Sequence, residues 1–190
     1  DDPAGLLMSS RLTRGTVSWA TGADNLRLGL DMLSTADSFL TVLHDDLLRL
    51  HELASQAMNG LLSDDERALL DKEFKEIIPE MTRLTKNTMF LGTTLFVGVA
   101  VSVVAGEGKN NVVTVVIDAL TTGAAGGLSL TSLNIASQGG ASQALGALSY
   151  RAFPLMTSVM AQIGAQTAAF VKSIDATDAL VENLTAARDR

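Results

Sequence analysis

The stretch LRLGLDMLSTADSFLTVLHDDLLRLHELASQAM, Leu26 to Met58, decides the fold. Apolar or small residues recur at Leu26, Gly29, Leu33, Ala36, Leu40, Leu43, Leu47, Leu50, Ala54 and Ala57. Their spacing alternates three and four without a miss, which is the seam of a helix packed lengthwise on other helices. Asp31, Ser34, Asp37, Thr41, Asp45, Asp46, Arg49 and Glu52 lie between the seam positions and form a solvated or partner-facing side. Leu30, Met32, Phe39, Val42 and Leu53 widen the stripe beyond a two-stranded coil, so more than one neighbour is expected. At ~1.5 Å per residue this helix reaches roughly 50 Å. That length implies an elongated body, of the kind that scaffolds more often than it catalyses.

The rest of the composition narrows the function classes. A chain of 190 residues supports one domain with a real core. Without cysteine there are no disulfides and no thiolate metal sites, and the redox compartment stays open. A net charge of -7 opposes a nucleic-acid surface, and one Trp, one Tyr and six Phe leave few platforms for base stacking. The chain opens on Asp1-Asp2-Pro3-Ala4-Gly5 and stops at Ala187-Arg188-Asp189-Arg190 with no basic-then-apolar leader, which reads as a fragment trimmed at both ends.

Ahead of the long helix, Pro3 and the run Leu6, Leu7, Met8, Leu12 predict a short helix over 1–17 that loosens near Gly15. Gly22 lowers helix propensity by ~1 kcal/mol just before the long helix starts. The long helix should end at Asn59-Gly60. Ser63-Asp64-Asp65-Glu66 is a capping-box pattern opening a second helix, with its seam at Leu70, Phe74, Ile77, Met81 and Leu84 and a bend at Pro79. A short loop between two such helices predicts an antiparallel pair. From Met89 to Val104 the period changes to two, with Val97, Val99, Val101 and Val103 alternating as in a strand. Residues 105–111 carry turn chemistry and Val112 to Ile117 return, making a β-hairpin. A transmembrane span over 89–104 is the alternative reading, opposed by its shortness, its glycines and its alternation. Residues 121–142 are rich in Gly, Ser and Thr, a connector with one helical turn expected around Leu128–Leu133. A last helix follows, carrying Leu145, Leu148, Leu155, Val159, Ile163, Phe170, Ile174, Val181 and Leu184, and Pro154 should kink or break it.

Candidate chemistry is sparse. His44 and His51 stand seven apart on one helical face, roughly 10 Å, too far to share an ion without other ligands. The sets Asp45-Asp46 and Asp64-Asp65-Glu66 lack a nucleophile or oxyanion donor beside them and read as solvated faces and a helix cap rather than acid–base pairs. Gly106-Glu107-Gly108 lacks the remaining elements of a phosphate loop. Asn183-Leu184-Thr185 matches a glycosylation sequon inside a helical seam. The tract 119–171 holds one charge, Arg151; without a Lys/Arg face it fits self-association better than a membrane surface.

Several runs resemble one family. Asp1-Asp2-Pro3-Ala4-Gly5-Leu6 resembles the opening motif of the flagellin rod. Leu33-Ser34-Thr35-Ala36-Asp37, followed by Arg49-Leu50-His51-Glu52-Leu53-Ala54-Ser55-Gln56-Ala57-Met58-Asn59-Gly60, resembles the flagellin N-terminal rod helix. Leu62-Ser63-Asp64-Asp65-Glu66-Arg67 and Asn87-Thr88-Met89-Phe90-Leu91-Gly92 are similar to its return helix and the start of its hairpin. Ser129-Leu130-Thr131-Ser132-Leu133-Asn134-Ile135-Ala136 is similar to the lead into the family's C-terminal helix, and Asn183 to Arg190 to its C-terminal signature. The chain departs from the pattern at Asp24 to Gly29, at Gln166-Thr167-Ala168 and at Pro154.

The resemblance implies a mainly α fold, an elongated antiparallel helical bundle or coiled coil with one β-hairpin. It implies a single rod domain over 1–190, built from an N-terminal part (1–90) and a C-terminal part (138–190), with a hairpin at 91–120 and a connector at 121–137 in place of any large variable outer domain. The terminal filament-core helices look absent. The implied function is a structural, self-assembling subunit of the extracellular flagellar filament, exported with its chaperone and cap proteins. It is not an enzyme, and it uses no cofactor, metal, nucleic acid or membrane. Leu33, Leu40, Leu43, Leu47 and Leu50 are the expected subunit-packing residues. Arg49, Leu53 and Glu73 match the epitope sensed by the flagellin-recognising Toll-like receptor, as an exposed Arg, an apolar anchor and an acid. A hook–filament junction protein is the alternative within the class. A secreted membrane-active helical protein is the alternative outside it, which liposome binding would single out.

Overall fold

The structure is a computed structural model and describes residues 3–123 and 127–189. Asp1 and Asp2 of the opening motif, positions 124–126 of the connector and Arg190 lie outside the described residues. The fold is mainly helical. Helix α1 (Pro3–Ala57) is followed by α2 (Asp64–Asn87) and four strands, β1 (Met89–Phe90), β2 (Thr93–Thr94), β3 (Val99–Val104) and β4 (Val112–Ile117). Then come α3 (Gln138–Ala147), a π-helical turn at Leu148–Ala152, and α4 (Phe153–Arg188). The chain divides into two compact units, one drawn from 1–34, 100–116 and 164–190, the other from 35–99 and 117–163.

The first unit corrects the expected helix start. Instead of a short helix loosening near Gly15, α1 runs unbroken for 55 residues. Tertiary contact outweighs the weak propensity of Gly22 and Gly29. A Cβ at Gly22 would overlap the Ala105 carbonyl, and one at Gly29 would lie 2.5 Å from the Phe170 ring. The two glycines, seven apart on one face, let the hairpin loop and α4 approach the α1 backbone. Leu26, Leu33, Val115 and Phe170 are buried around these approaches. Side-chain amides hold the hairpin: Asn25 Nδ2 donates to the Val104 carbonyl at 3.1 Å. Val116 N–H donates to Gln166 Oε1 at 2.7 Å, while Gln166 Nε2 donates back to the Val116 carbonyl at 2.6 Å. Arg27 adds a two-pronged ion pair to Asp178.

In the second unit α1 turns back into α2 through a satisfied cap. Ser63 Oγ accepts from Glu66 N–H, and the Glu66 carboxylate accepts from Ser63 N–H at 2.8 Å, which is the expected capping box. Arg67, buried, donates from Nε to the Ala57 carbonyl and from Nη2 to the Asn59 carbonyl, serving the last carbonyls of α1. Buried Asp71 accepts Ile135 N–H at 2.7 Å and pairs with Lys75. Leu40, Leu43, Leu47, Leu50 and Leu53 of α1 join Phe74 and Met81 of α2 and Met156, Val159 and Ile163 of α4 in the core. Helix α2 continues through Pro79, which lies on its exposed side.

The expected strand over 89–104 is interrupted. β1 and β2 pair antiparallel in the register Met89↔Thr94 and Phe90↔Thr93, and Leu91 and Gly92 between them both have positive φ, 46° and 83°. Gly98 also has φ 83°, so the chain turns again before β3, and β3 with β4 forms the longer hairpin. No helical turn forms over Leu128–Leu133. There Leu128 N–H bonds the Thr121 carbonyl and Leu130 N–H the Thr122 carbonyl, and a local bond, Leu133 N–H to the Leu130 carbonyl, closes a single non-helical turn. Pro154 does interrupt the last helix: lacking an N–H, it leaves the i−4 carbonyl without its helical donor, and the chain answers with the π turn, where Phe153 N–H reaches the Leu148 carbonyl.

Candidate interaction surface

Arg49 and Glu73 meet across α1 and α2. Arg49 Nε donates to Glu73 Oε1 at 2.7 Å, Nη2 approaches the same oxygen at 2.6 Å, and Nη1 donates to Glu52 at 3.1 Å. Both side chains of the Arg49–Glu73 pair are 45% exposed, so the pair is presented to solvent. Its bond to Glu73, then that to Glu52, raises the affinity of the guanidinium for its proton against a small opposing desolvation. A fork held by two acids is oriented before any partner arrives, which lowers the ordering entropy that binding must meet.

Leu53 does not fit the role expected of it. It is fully buried under α1, so it supports the turn carrying Arg49 and offers no surface to a partner. The apolar residue beside the acid is Leu69, 72% exposed and one helical turn before Glu73. Leu69 falls one position off the α2 seam at Leu70, and that offset was the signal available in the sequence. Next to it, Gln56, Asn59, Leu62, Glu66, Leu69 and Leu70 line an open groove of about 360 Å³ between the end of α1 and the start of α2.

Leu33, Leu40, Leu43, Leu47 and Leu50 are all fully buried within this chain. Their expected role as subunit contacts is therefore corrected. A heptad seam specifies that a helix packs on other helices, and it is blind to which chain supplies them. Large apolar residues that do remain exposed include Leu48 and Tyr150.

The remaining candidates occupy structural positions. His44 and His51 both stand edge-on to Phe153, each with ring centroids 5.8 Å apart. Burial first, then Glu80 and Asp45, raises the pKa of Asp46 from its ordinary value, and among the described residues its Oδ2 has no hydrogen-bond partner. Asp64, Asp65 and Glu66 fill the first turn of α2, where the helix dipole favours acids. Among the described residues no group of acids and histidines is arranged to hold a metal ion, and no helix is long and apolar enough to cross a membrane. Thr185 of the sequon donates its hydroxyl to the Val181 carbonyl within α4.

Residues 1–100 match the family model described as the bacterial flagellin N-terminal helical region. The chain is similar to the flagellin of Listeria monocytogenes, 33% identical over 90 residues that make up 47% of this chain and 31% of the relative. The chain spans about a third of the length of the first curated relatives it matches. In fold it is similar to a protein described as a flagellar hook-associated protein of Vibrio parahaemolyticus, with TM-score 0.82 and 16% identity, covering 100% of this chain and 98% of that one. It is also similar to Bacillus cereus flagellin, with TM-score 0.59 and 21% identity, covering 85% of this chain and 88% of that one.

Proposed function

Since the chain belongs to the bacterial flagellin family, we propose that it is a structural subunit of the flagellar filament, self-assembling outside the cell and doing no catalysis. The match of residues 1–100 to the family's N-terminal helical region carries this reading. The rod-domain organisation of 1–90, 91–120, 121–137 and 138–190 belongs to the proposal, as do export with a chaperone and assembly under a cap. Subunits meet through exposed side chains, since the seam leucines are enclosed in the chain itself. Immunogold labelling of flagella on the cells that make this chain tests the reading. Label along the whole filament is expected, and flagella free of label would overturn it.

The hook–filament junction is the second reading, drawn from the name of the structural neighbour that the chain overlaps from end to end. Label confined to the boundary between hook and filament would select it.

Recognition by the flagellin-sensing Toll-like receptor extends the first reading and centres on Arg49 and Glu73, held together at 2.6 Å on the surface. Arg49→Asp places an acid against Glu73 and Glu52 and removes the forked donor, so receptor signalling in reporter cells should fall at least about tenfold, the loss expected for a small hot spot of roughly 1.4 kcal/mol or more. Undiminished signalling would contradict it.

A further inference from the structure

Asn59-Gly60 is the one Asn-Gly step in the sequence, and it lies exposed in the turn from α1 to α2. Three features converge there. Asn59 Oδ1 accepts the Leu61 N–H at 3.0 Å, which polarises the side-chain amide and draws electron density from its Cγ. Gly60 carries no Cβ to shield its nitrogen, and a Cβ built there would meet only Gln138 Nε2, at 4.0 Å. Among the described residues the Gly60 N–H donates to no acceptor, whereas the carbonyl of the same peptide, that of Asn59, accepts from Arg67 Nη2 at 2.9 Å and from Leu62 N–H at 3.2 Å. A peptide polarised at its oxygen by a guanidinium loses the proton on its nitrogen more readily.

We propose that Asn59 is a site of spontaneous deamidation in the folded chain, with water as the co-reactant. The Gly60 nitrogen gives its proton to hydroxide and attacks Asn59 Cγ. A Cγ–N bond forms, and the Leu61 N–H stabilises the negative charge that gathers on Oδ1. Water then protonates Nδ2 and returns hydroxide, the Cγ–Nδ2 bond breaks and ammonia leaves, closing a five-membered succinimide. Water opens either carbonyl of that ring, giving aspartate or isoaspartate at position 59. No atom is oxidised or reduced. Either product sets a new carboxylate beside Arg67, and isoaspartate adds a methylene to the backbone of the turn whose carbonyl Arg67 holds.

The test is peptide mass mapping, with isoaspartyl-methyltransferase labelling, of the intact chain aged at mildly alkaline pH. Acid at position 59 should accumulate at least about an order of magnitude faster than at Asn25, Asn87, Asn134 or Asn183. Gly60→Ala, which the open space around Gly60 accommodates, should slow it by a similar factor. A parallel sample unfolded in urea should react no faster than the folded one. Reaction at Asn59 no faster than at the other asparagines, or reaction confined to the unfolded sample, would overturn the proposal.

Discussion

Two polar side chains of the second unit act on its stability in opposite directions. Arg67 donates to two carbonyls at the end of α1 from a nearly enclosed position. Arg67→Met keeps the stem and removes the donors, so the carbonyl of buried Ala57 loses its partner while that of Asn59 keeps the Leu62 N–H; we expect a loss of about 1–3 kcal/mol in urea unfolding of the chain. Asp46 points the other way. Its folded-state pKa lies above the unfolded value, so the folded state binds the proton more tightly, and ionisation weakens the fold as pH rises through that interval. Asp46→Asn should therefore raise stability at neutral pH, by no more than about 1 kcal/mol after solvent screening, and the gain should vanish at a pH below the ordinary aspartate range. Unfolding midpoints of the two chains across that range check the sign. Neither residue's role was legible beforehand. Sequence displays a cation and an acid pair, whereas burial and the carbonyls they face arise from tertiary placement.

At the scale of elements, periodicity was readable wherever one rule acted alone. The capping box at Ser63, the hairpin valines and the interruption at Pro154 follow from local geometry, and the structure carries each of them, whereas of the α2 seam only Phe74 and Met81 are buried and Asp71, Ile78 and Thr85 take the places expected of Leu70, Ile77 and Leu84. Failures occur where long-range contact reverses a local preference. Gly22 and Gly29 weaken an isolated helix, yet α1 continues because only glycine admits the Ala105 backbone and the Phe170 ring so closely. Gly29→Val should destabilise the chain by about 1–3 kcal/mol through overpacking against Phe170, visible as a lower urea midpoint, where propensity alone predicts a gain. The Gln166 amide gives a second test at this scale. It occupies the N–H and carbonyl of Val116 on β4, so Gln166→Leu should free that strand edge and speed amide exchange at Val116 while exchange in α2 stays unchanged. The irregular segment around Leu128–Leu133 was unreadable for a related reason. Its N–H groups at Leu128 and Leu130 bond the carbonyls of Thr121 and Thr122, seven and eight residues back, beyond the three- and four-residue spacings that periodicity reads.

For the molecule as a whole, the long heptad stretch identified a helical protein, and runs such as 33–37, 49–60 and 62–67 carried the resemblance to the family; the helices and the match over 1–100 bear these out. The heptad stretch did not identify the surface. Leu33, Leu40, Leu43, Leu47 and Leu50 have the pattern of an assembly seam and are fully enclosed within the chain, and Leu53, expected as an anchor for a receptor, is enclosed with them. Apolar patterning reports burial and leaves open whether a second copy or the same chain provides the cover. As the filament subunit proposed above, this chain would meet its neighbours through exposed residues, over leucines that it encloses itself. Cryo-electron microscopy of flagella containing it tests this most directly. Subunits are expected whose Leu40, Leu43, Leu47 and Leu50 face that subunit's own interior, with exposed residues at the contacts between copies. Filaments in which those leucines bridge neighbouring subunits would contradict it.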